Sequence, residues 1–198
     1  MSTEPRIGVF GGTFDPVNVG HLVVAQDVRH ALGLDRLLLV VANRPWKKVG
    51  RWRVTDAEDR LAMVEAAVTG VEGLEASRIE IDRGGPSYSA DTVAELRRRQ
   101  PESRLFLVIG ADLVGELETW QRVGELKAET TLVIADRGGV LPPADPAGWR
   151  VERVRVPALD LSSSDLRARF AEGRPVDFLV PEPAVRFIRR RALYASRR

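Results

Sequence analysis

The chain has 198 residues, of which 44% are hydrophobic and 29% are charged, and its formal net charge is +2. This length and composition are typical of a globular domain with a full hydrophobic core. The absence of cysteine excludes disulfides, thiolate metal sites and cysteine nucleophiles. The small net charge gives no reason to expect nucleic-acid binding, and runs such as ELRRRQ are typical of solvated helix faces.

The first residues, MSTEPRIGV, are polar and do not resemble a signal peptide. The apolar run LLLVVA has the length of a strand and is far too short to span a membrane. We therefore expect a cytoplasmic enzyme or binding protein with no membrane partner. Composition leaves its oligomeric state, including a homo-oligomer, open.

Apolar runs of strand length alternate with helical patterns along the chain. The predicted strands are Ile7–Phe10, Leu37–Ala42, Ser77–Ile81, Leu105–Ile109, Thr131–Ala135 and Val151–Val156. The predicted helices cover residues 22–32, Ala57–Val68, Asp91–Arg99, Ser164–Ala171 and a closing segment that begins with PEPAVRF. This alternation predicts an α/β fold with a doubly wound parallel sheet, in which ligands bind beyond the carboxyl ends of the strands.

Two local details accompany these elements. Thr55, followed by Glu58 three residues later, predicts a capping box at the start of the second helix. The Gly- and Pro-rich segment DRGGVLPPADPAGW predicts a surface loop between the last two strands rather than a domain boundary.

The loop after the first strand reads GGTFDPVNVGH. Gly11 and Gly12 allow backbone N–H groups to approach an anion, and Gly20 and His21 open the next helix, whose amino end also favours anions. A tight turn with a helix cap explains the same residues equally well. The segment matches neither the dinucleotide-binding fingerprint nor the P-loop.

Other loops that follow strands carry residues suited to a nucleotide. In LSSSDLR, Ser162 or Ser163 predicts a helix cap with Arg167 one turn further along, although a plain cap with a surface arginine fits too. Asp112 follows a strand and suits ribose hydroxyls or a helix cap, and Trp120 suits stacking on a planar ring or a place in the core. The cationic segment RPWKKVGRWR is a further candidate for phosphate contact.

Only two histidines occur, His21 and His30, which leaves little material for a histidine metal site, and we predict no protein-held metal. No spacing supports a serine–histidine or paired-carboxylate mechanism.

Seven segments in order resemble the nucleotidyltransferases marked by a strand followed by H-x-G-H, and most closely the bacterial nicotinate-mononucleotide adenylyltransferases. They are GGTFDPVNVGHL, NRPWKK, DRGGPSYSADT, FLVIGAD, TWQR, LSSSDLR and DFLVPEPAVRFIRRRALY. The resemblance runs nearly end to end. It implies a Rossmann-like nucleotidyltransferase domain over residues 1–198, with a small helical part from about residue 160.

The resemblance implies transfer of AMP from ATP to nicotinate mononucleotide, giving deamido-NAD and pyrophosphate. The attack on the α-phosphorus would be direct and in line, with Mg²⁺ bound through the ATP phosphates. ATP and nicotinate mononucleotide are thus the implied partners, and catalysis rests on positioning and charge stabilisation.

The resemblance also implies roles for individual residues. The catalytic set is Asn18, His21, Lys48 and Arg167. The ATP-binding set is Gly11, Gly12, Thr13, Phe14, Gly110, Asp112 and Ser163. The set for nicotinate mononucleotide is Tyr88, Ser89, Thr92, Trp120 for stacking and Arg137 for the phosphate.

Asn18 is the main departure, because the family places a histidine at that position. Asparagine still donates an N–H but carries no charge, and the change costs about 1–2 kcal/mol at the transition state. Lys47, where many relatives have histidine, and the missing proline after Arg137 are lesser departures.

Two alternatives remain open at this level. A paralogue with the same chemistry but another acceptor or nucleotide, such as a cytidylyltransferase, is consistent with Asn18 and the unusual cationic loop. A nucleotide-binding protein with impaired catalysis is the other, although His21, Asp112 and Arg167 are all retained.

Overall fold

The computed structural model describes residues 4–45, 54–138 and 144–195. Its strands are β1 Arg6–Gly12, β2 Arg36–Val41, β3 Leu74–Ser77, β4 Arg104–Gly110, β5 Thr130–Asp136 and β6 Arg150–Arg155. Its helices are α1 Val19–Ala31, α2 Ala57–Val68, α3 Ile79–Arg83, α4 Ser89–Arg99, α5 Val123–Glu129, α6 Ser163–Glu172 and α7 Glu182–Arg190, with a 3₁₀ segment at Ala111–Thr119.

The six strands form one sheet in the order β3-β2-β1-β4-β5-β6, and every neighbouring pair is parallel. The prediction of a doubly wound parallel sheet is therefore confirmed. The strand order reverses between β1 and β4, so the chain leaves these two strands in opposite directions. A crevice opens at such a point, beyond the carboxyl ends of the two strands.

The core lies on both faces of the sheet, because successive strand side chains point to opposite sides. In β2, Leu37, Leu39 and Val41 join the cluster beneath α1, α2, α6 and α7. Leu38 and Val40 join the cluster beneath α4, α5 and the 3₁₀ segment. A strand buried on both faces accounts for the continuous apolar run in the sequence.

The strand predicted at Ser77–Ile81 is wrong. The strand occupies Leu74–Ser77, where it pairs with β2, and Ile79–Arg83 forms a short helix. The alternation Ile-Glu-Ile has the period of a strand, but Arg78 bonds Asp82 at 2.8 Å, four residues along, which favours a helical turn.

The predicted cap of α2 is also wrong. The cap is Asp56, whose carboxylate accepts the backbone N–H of Glu58 at 3.0 Å. The backbone N–H of Thr55 instead donates to Asp15, a residue distant in sequence. That long-range bond draws Thr55 away from the helix.

The closing helix appears as α7, which begins after Pro181 and packs against α2. The Gly- and Pro-rich segment joins β5 to β6 as expected, and its centre lies outside the described residues. Among the helices that the structure describes, none has the length and apolar character needed to cross a bilayer.

Candidate functional site

Two adjoining cavities open at the carboxyl ends of β1 and β4, where the strand order reverses. The larger has a volume of about 420 Å³ and the smaller about 140 Å³. They share a wall formed by Phe10, Gly11, Gly12, Gly110, Asp112 and Leu113. We call the larger the distal cavity and the smaller the histidine cavity. Gly11 and Gly12, predicted to lie near phosphates, thus stand where the two cavities adjoin.

The turn after β1 places an aromatic ring directly over a glycine. A Cβ on Gly12 would lie 2.6 Å from the ring of Phe14, so no larger residue fits without displacing that ring. Phe14 has a positive φ of 50° and is buried. Its ring stands edge-on to the His21 ring, with 5.1 Å between the centroids. Gly12 and Phe14 together fix one side of the His21 imidazole, which lines the histidine cavity.

Asn18 and His21 cap α1 reciprocally. The side-chain oxygen of Asn18 accepts the backbone N–H of His21 at 3.2 Å, and Nδ1 of His21 accepts the backbone N–H of Asn18 at 3.1 Å. In the neutral ring this arrangement places the proton on Nε2, so His21 is a donor there.

Asn18 retains one further donor. Its side chain is buried, at 2% exposure, and its Nδ2 has no hydrogen-bond partner among the residues that the structure describes. A buried amide left unpaired is costly, and such a group calls for an acceptor supplied by a ligand or water.

The amino end of α6 lies against the same turn. Ser162 caps the helix, and the hydroxyl of Ser163 donates to the carbonyl of Pro16 at 2.9 Å. Arg167 donates to the carbonyl of Asp15 at 2.6 Å and to the hydroxyl of Ser164 at 3.0 Å. Ser163 and Arg167 are therefore fixed to the turn that follows β1, although α6 is distant in sequence.

Asp112 folds back over the end of β4. A Cβ on Gly110 would meet Oδ1 of Asp112, so a larger residue there would require the Asp112 carboxylate to shift. Both residues line both cavities. Of the predicted ATP-binding residues, Thr13 lines the distal cavity and Phe14 the histidine cavity.

The distal cavity is lined by Tyr88, Ser89 and Trp120. These three belong to the set that the sequence resemblance implies for the mononucleotide. Thr92 does not line the cavity. Its hydroxyl is buried and donates to Oε1 of Glu80 at 2.6 Å. Thr92 therefore supports the cavity from behind.

Glu80 lines the distal cavity and was not among the predicted site residues. It is buried, at 6% exposure, and lies 3.9 Å from the guanidinium of Arg83. The only signal in the sequence is a carboxylate placed between two isoleucines.

Arg137 lies in the histidine cavity, on the same side as His21, and not beside Tyr88 and Trp120. Its side chain is exposed. Lys48, predicted to be catalytic, and Lys47 lie outside the described residues.

A buried polar network lies beneath the turn and was not predicted. The carboxylate of Asp15 accepts the hydroxyl of Tyr194 at 2.7 Å and the backbone N–H of Thr55 at 3.2 Å. Burial and the charge of Asp15 raise the pKa of the Tyr194 phenol above its ordinary value. Burial lowers the pKa of the neighbouring Arg60 guanidinium, and Asp15 opposes that shift. Arginine nevertheless stays charged in proteins.

Within the described ranges, no group of three or more His, Asp or Glu side chains is arranged to hold a metal ion. The site offers backbone N–H groups, an imidazole, an amide and a guanidinium, all of which are donors suited to phosphate oxygens.

Residues 9–169 match the model of the cytidylyltransferase-like family. The chain is 42% identical over 193 residues to a Corynebacterium kroppenstedtii protein named "Probable nicotinate-nucleotide adenylyltransferase", with 96% of this chain and 91% of that protein covered. A Streptomyces coelicolor protein of the same name is 43% identical, with 93% and 98% covered.

The fold is similar to that of the Plasmodium falciparum nicotinic acid mononucleotide adenylyltransferase solved in complex with NaAD. The TM-score is 0.79 at 17% identity, and the alignment covers 96% of this chain and 98% of that one.

Proposed function

Because the chain belongs to the nicotinate-nucleotide adenylyltransferases within the cytidylyltransferase-like family, we propose that it transfers AMP from ATP to nicotinate mononucleotide. The products are deamido-NAD and pyrophosphate. The observation that carries the proposal is the pair of cavities that meet at Gly11, Gly12 and Gly110. If one nucleotide bound in each cavity, their phosphates would meet beside the residues that line both cavities.

In this reaction an oxygen of the mononucleotide phosphate attacks the α-phosphorus of ATP. The new P–O bond forms as the bond between the α-phosphorus and the bridging oxygen breaks, and the electron pair leaves with pyrophosphate. A phosphate monoester is largely a dianion at pH 7, since its second pKa is about 6, so the attack needs no general base. The protein's task is to align the two phosphates and to stabilise charge.

We assign ATP to the histidine cavity. Nε2 of His21 and Nδ2 of Asn18 would donate to phosphate oxygens, and the reciprocal cap would hold both donors in place. Arg167 and Ser163 would bind the pyrophosphate end, and Asp112 with Gly110 would hold the ribose. Lys48 remains a proposed catalytic residue on sequence grounds alone.

We assign nicotinate mononucleotide to the distal cavity. The face of Trp120 would stack on the pyridine ring, with Tyr88 and Ser89 beside it. Arg137 lines the histidine cavity and not the distal cavity. Its guanidinium would therefore contact the phosphate of nicotinate mononucleotide only where that phosphate extends toward the bound ATP.

The metal proposed for this reaction is Mg²⁺ carried by the ATP phosphates. The donor set fits this arrangement, because the described residues supply groups for phosphate oxygens rather than a carboxylate cage for the ion. When bound, Mg²⁺ neutralises phosphate charge and orients the pyrophosphate leaving group.

We also propose that residues 1–198 act as one nucleotidyltransferase domain, with the helical part from about residue 160 supplying Ser163 and Arg167. The bonds from these two side chains to the carbonyls of Pro16 and Asp15 support this assignment.

The test is to incubate the purified protein with Mg²⁺, each nucleoside triphosphate in turn and a panel of phosphate acceptors, and to measure pyrophosphate release. The expected result is fastest turnover with ATP and nicotinate mononucleotide, with deamido-NAD identified by mass. Turnover with another pair only would assign the chain to a paralogous reaction. ATP binding without turnover for any acceptor would indicate a protein with impaired catalysis.

A further inference from the structure

Arg60, on α2, is buried with 1% of its surface exposed, yet it lines neither cavity. Its guanidinium donates to three backbone carbonyls: Nε to Thr55 at 2.8 Å, Nη1 to Thr13 at 2.9 Å and Nη2 to Asn43 at 3.1 Å. Each nitrogen of the guanidinium thus serves a different segment of the chain.

The three carbonyls come from segments that surround the candidate site. Thr13 lies in the turn after β1, Asn43 follows β2, and Thr55 immediately precedes the cap of α2. A planar guanidinium presents its donors in a fixed fork, so three bonds set the distances among the three segments.

The segment after β2 transmits this constraint toward the distal cavity. Nδ2 of Asn43 donates to the carbonyl of Gly85 at 2.9 Å, and the backbone N–H of Ser87 donates to the carbonyl of Arg44 at 3.1 Å. Ser87 itself lines the distal cavity. A shift of Asn43 therefore moves the wall next to Tyr88.

The Thr55 segment transmits the constraint toward Arg167 at the amino end of α6. Its backbone N–H bonds the carboxylate of Asp15, and the carbonyl of Asp15 accepts from Arg167. Arg60 thus stands at the junction of two hydrogen-bonded paths, one to the distal cavity and one to Arg167, which we propose to bind the pyrophosphate end of ATP.

We propose that Arg60 is a positioning residue for adenylyl transfer: its guanidinium fixes the phosphate-binding turn relative to the segments after β2 and before α2. This inference rests on the proposed function. Arg60 itself lines neither cavity, so it acts on the site through the residues that it bonds, of which Thr13 lines the distal cavity. Misplacing a reacting group by about 1 Å costs on the order of 100-fold in rate.

The test compares Arg60→Lys with the matched control Arg97→Lys in the full chain. Arg97 also binds three carbonyls, those of Pro101, Ser103 and Glu129, and pairs with the Glu129 carboxylate, but it does so at the amino end of β4, away from both cavities. Lysine keeps the charge and loses the fork in both variants. Steady-state kinetics for both substrates, Tm and amide hydrogen exchange are measured on each.

We expect Arg60→Lys to lower kcat by about 30-fold or more, in line with the cost of misplaced reacting groups. It should also speed amide exchange in peptides that span residues 11–16. Arg97→Lys should lower Tm while its kcat stays within about twofold of the wild type, because Arg97 lies at the opposite end of β4 from the turn and shares no partner with Arg60. In Arg60→Ala, millimolar guanidinium should restore part of the kcat and methylammonium should not.

Equal kcat in Arg60→Lys and the wild type would overturn the proposal, as would an equal kcat loss in Arg97→Lys. Failure of both Arg60 variants to fold would assign Arg60 a purely structural role and also overturn it. A wild-type chain that makes no deamido-NAD would instead contradict the proposed function, and exchange in residues 11–16 would still report whether Arg60 holds the turn.

Discussion

The side-chain oxygen of Asn18 accepts the backbone N–H of His21, while Nδ1 of His21 accepts the backbone N–H of Asn18. The two residues therefore hold each other's orientation at the start of α1. The cap uses the oxygen of Asn18 and leaves its Nδ2, which has no partner among the described residues. The cap and the proposed phosphate contact are separate properties of one side chain, and substitutions can separate them.

Asn18→Ser should separate them by keeping the cap and removing the amide donor. Serine and asparagine cap helices about equally well, so Tm should stay within about 3 °C of the wild type. The kcat/KM for ATP should fall about tenfold, which corresponds to one lost hydrogen bond of about 1.4 kcal/mol at the transition state. Steady-state kinetics and thermal unfolding measure the two effects. An unchanged kcat/KM would remove Asn18 from the catalytic set.

Asn18→His should raise kcat about tenfold, because a charge-assisted hydrogen bond to phosphate replaces a neutral one. Initial rates at saturating ATP and nicotinate mononucleotide measure the change. Equal or lower activity would mean that the site is built around asparagine.

Trp120→Leu should raise the KM for nicotinate mononucleotide about tenfold and leave the KM for ATP within about twofold, because the stacking face is worth about 1.4 kcal/mol. Trp149→Leu is the matched control, since Trp149 packs against the same core cluster but lines neither cavity. Equal KM changes in the two variants would point to a general packing effect.

Tyr194→Phe should lower the free energy of unfolding by about 2 kcal/mol at pH 7, because the Asp15 carboxylate loses the hydrogen bond that the Tyr194 hydroxyl donates to it. The pKa of Tyr194 is raised in the folded chain, so its contribution is fully present below the unfolded pKa of about 10 and is lost as pH rises toward the folded value. The stability difference between wild type and variant should therefore shrink above about pH 10. Urea unfolding at several pH values measures it, and a difference that grows with pH would contradict the assignment.

Removal of divalent metal with EDTA should abolish pyrophosphate release and leave Tm unchanged, because we propose that the ion is held by ATP rather than by the protein. Added Mg²⁺ should restore turnover. A fall in Tm on chelation, measured without nucleotide, would reveal a metal bound by the protein itself.

Local patterns in the sequence predicted the parallel sheet and the turn after β1, because apolar periodicity and the GGTFDP and GH segments are properties of neighbouring residues. They failed at Ser77–Ile81, where a strand-like alternation forms a helix, and at Thr55, whose N–H is drawn to Asp15. At the first, the pairing of Leu74–Ser77 with β2 and the local pair between Arg78 and Asp82 override the alternation, and at the second a bond across the fold does so.

Two buried charged residues at the site were not predicted: Arg60, which lies behind the turn after β1, and Glu80, which lines the distal cavity. Arg60 and Glu80 look in sequence like charged residues on a helix and a strand, yet both are buried. Which carbonyl or hydroxyl a buried charge will meet depends on the packing of several elements. The assignment of Arg137 to one cavity rather than the other depends on the same packing.

The hydrogen bond between Tyr194 and Asp15 joins positions 179 residues apart in the chain. Proteins are synthesised from the amino end, so Asp15 emerges from the ribosome long before its partner has been translated. The turn after β1 can form its hydrogen bond with Tyr194 only after residue 194 has been synthesised. The order of translation thus makes the earliest part of the proposed active site one of the last to be completed.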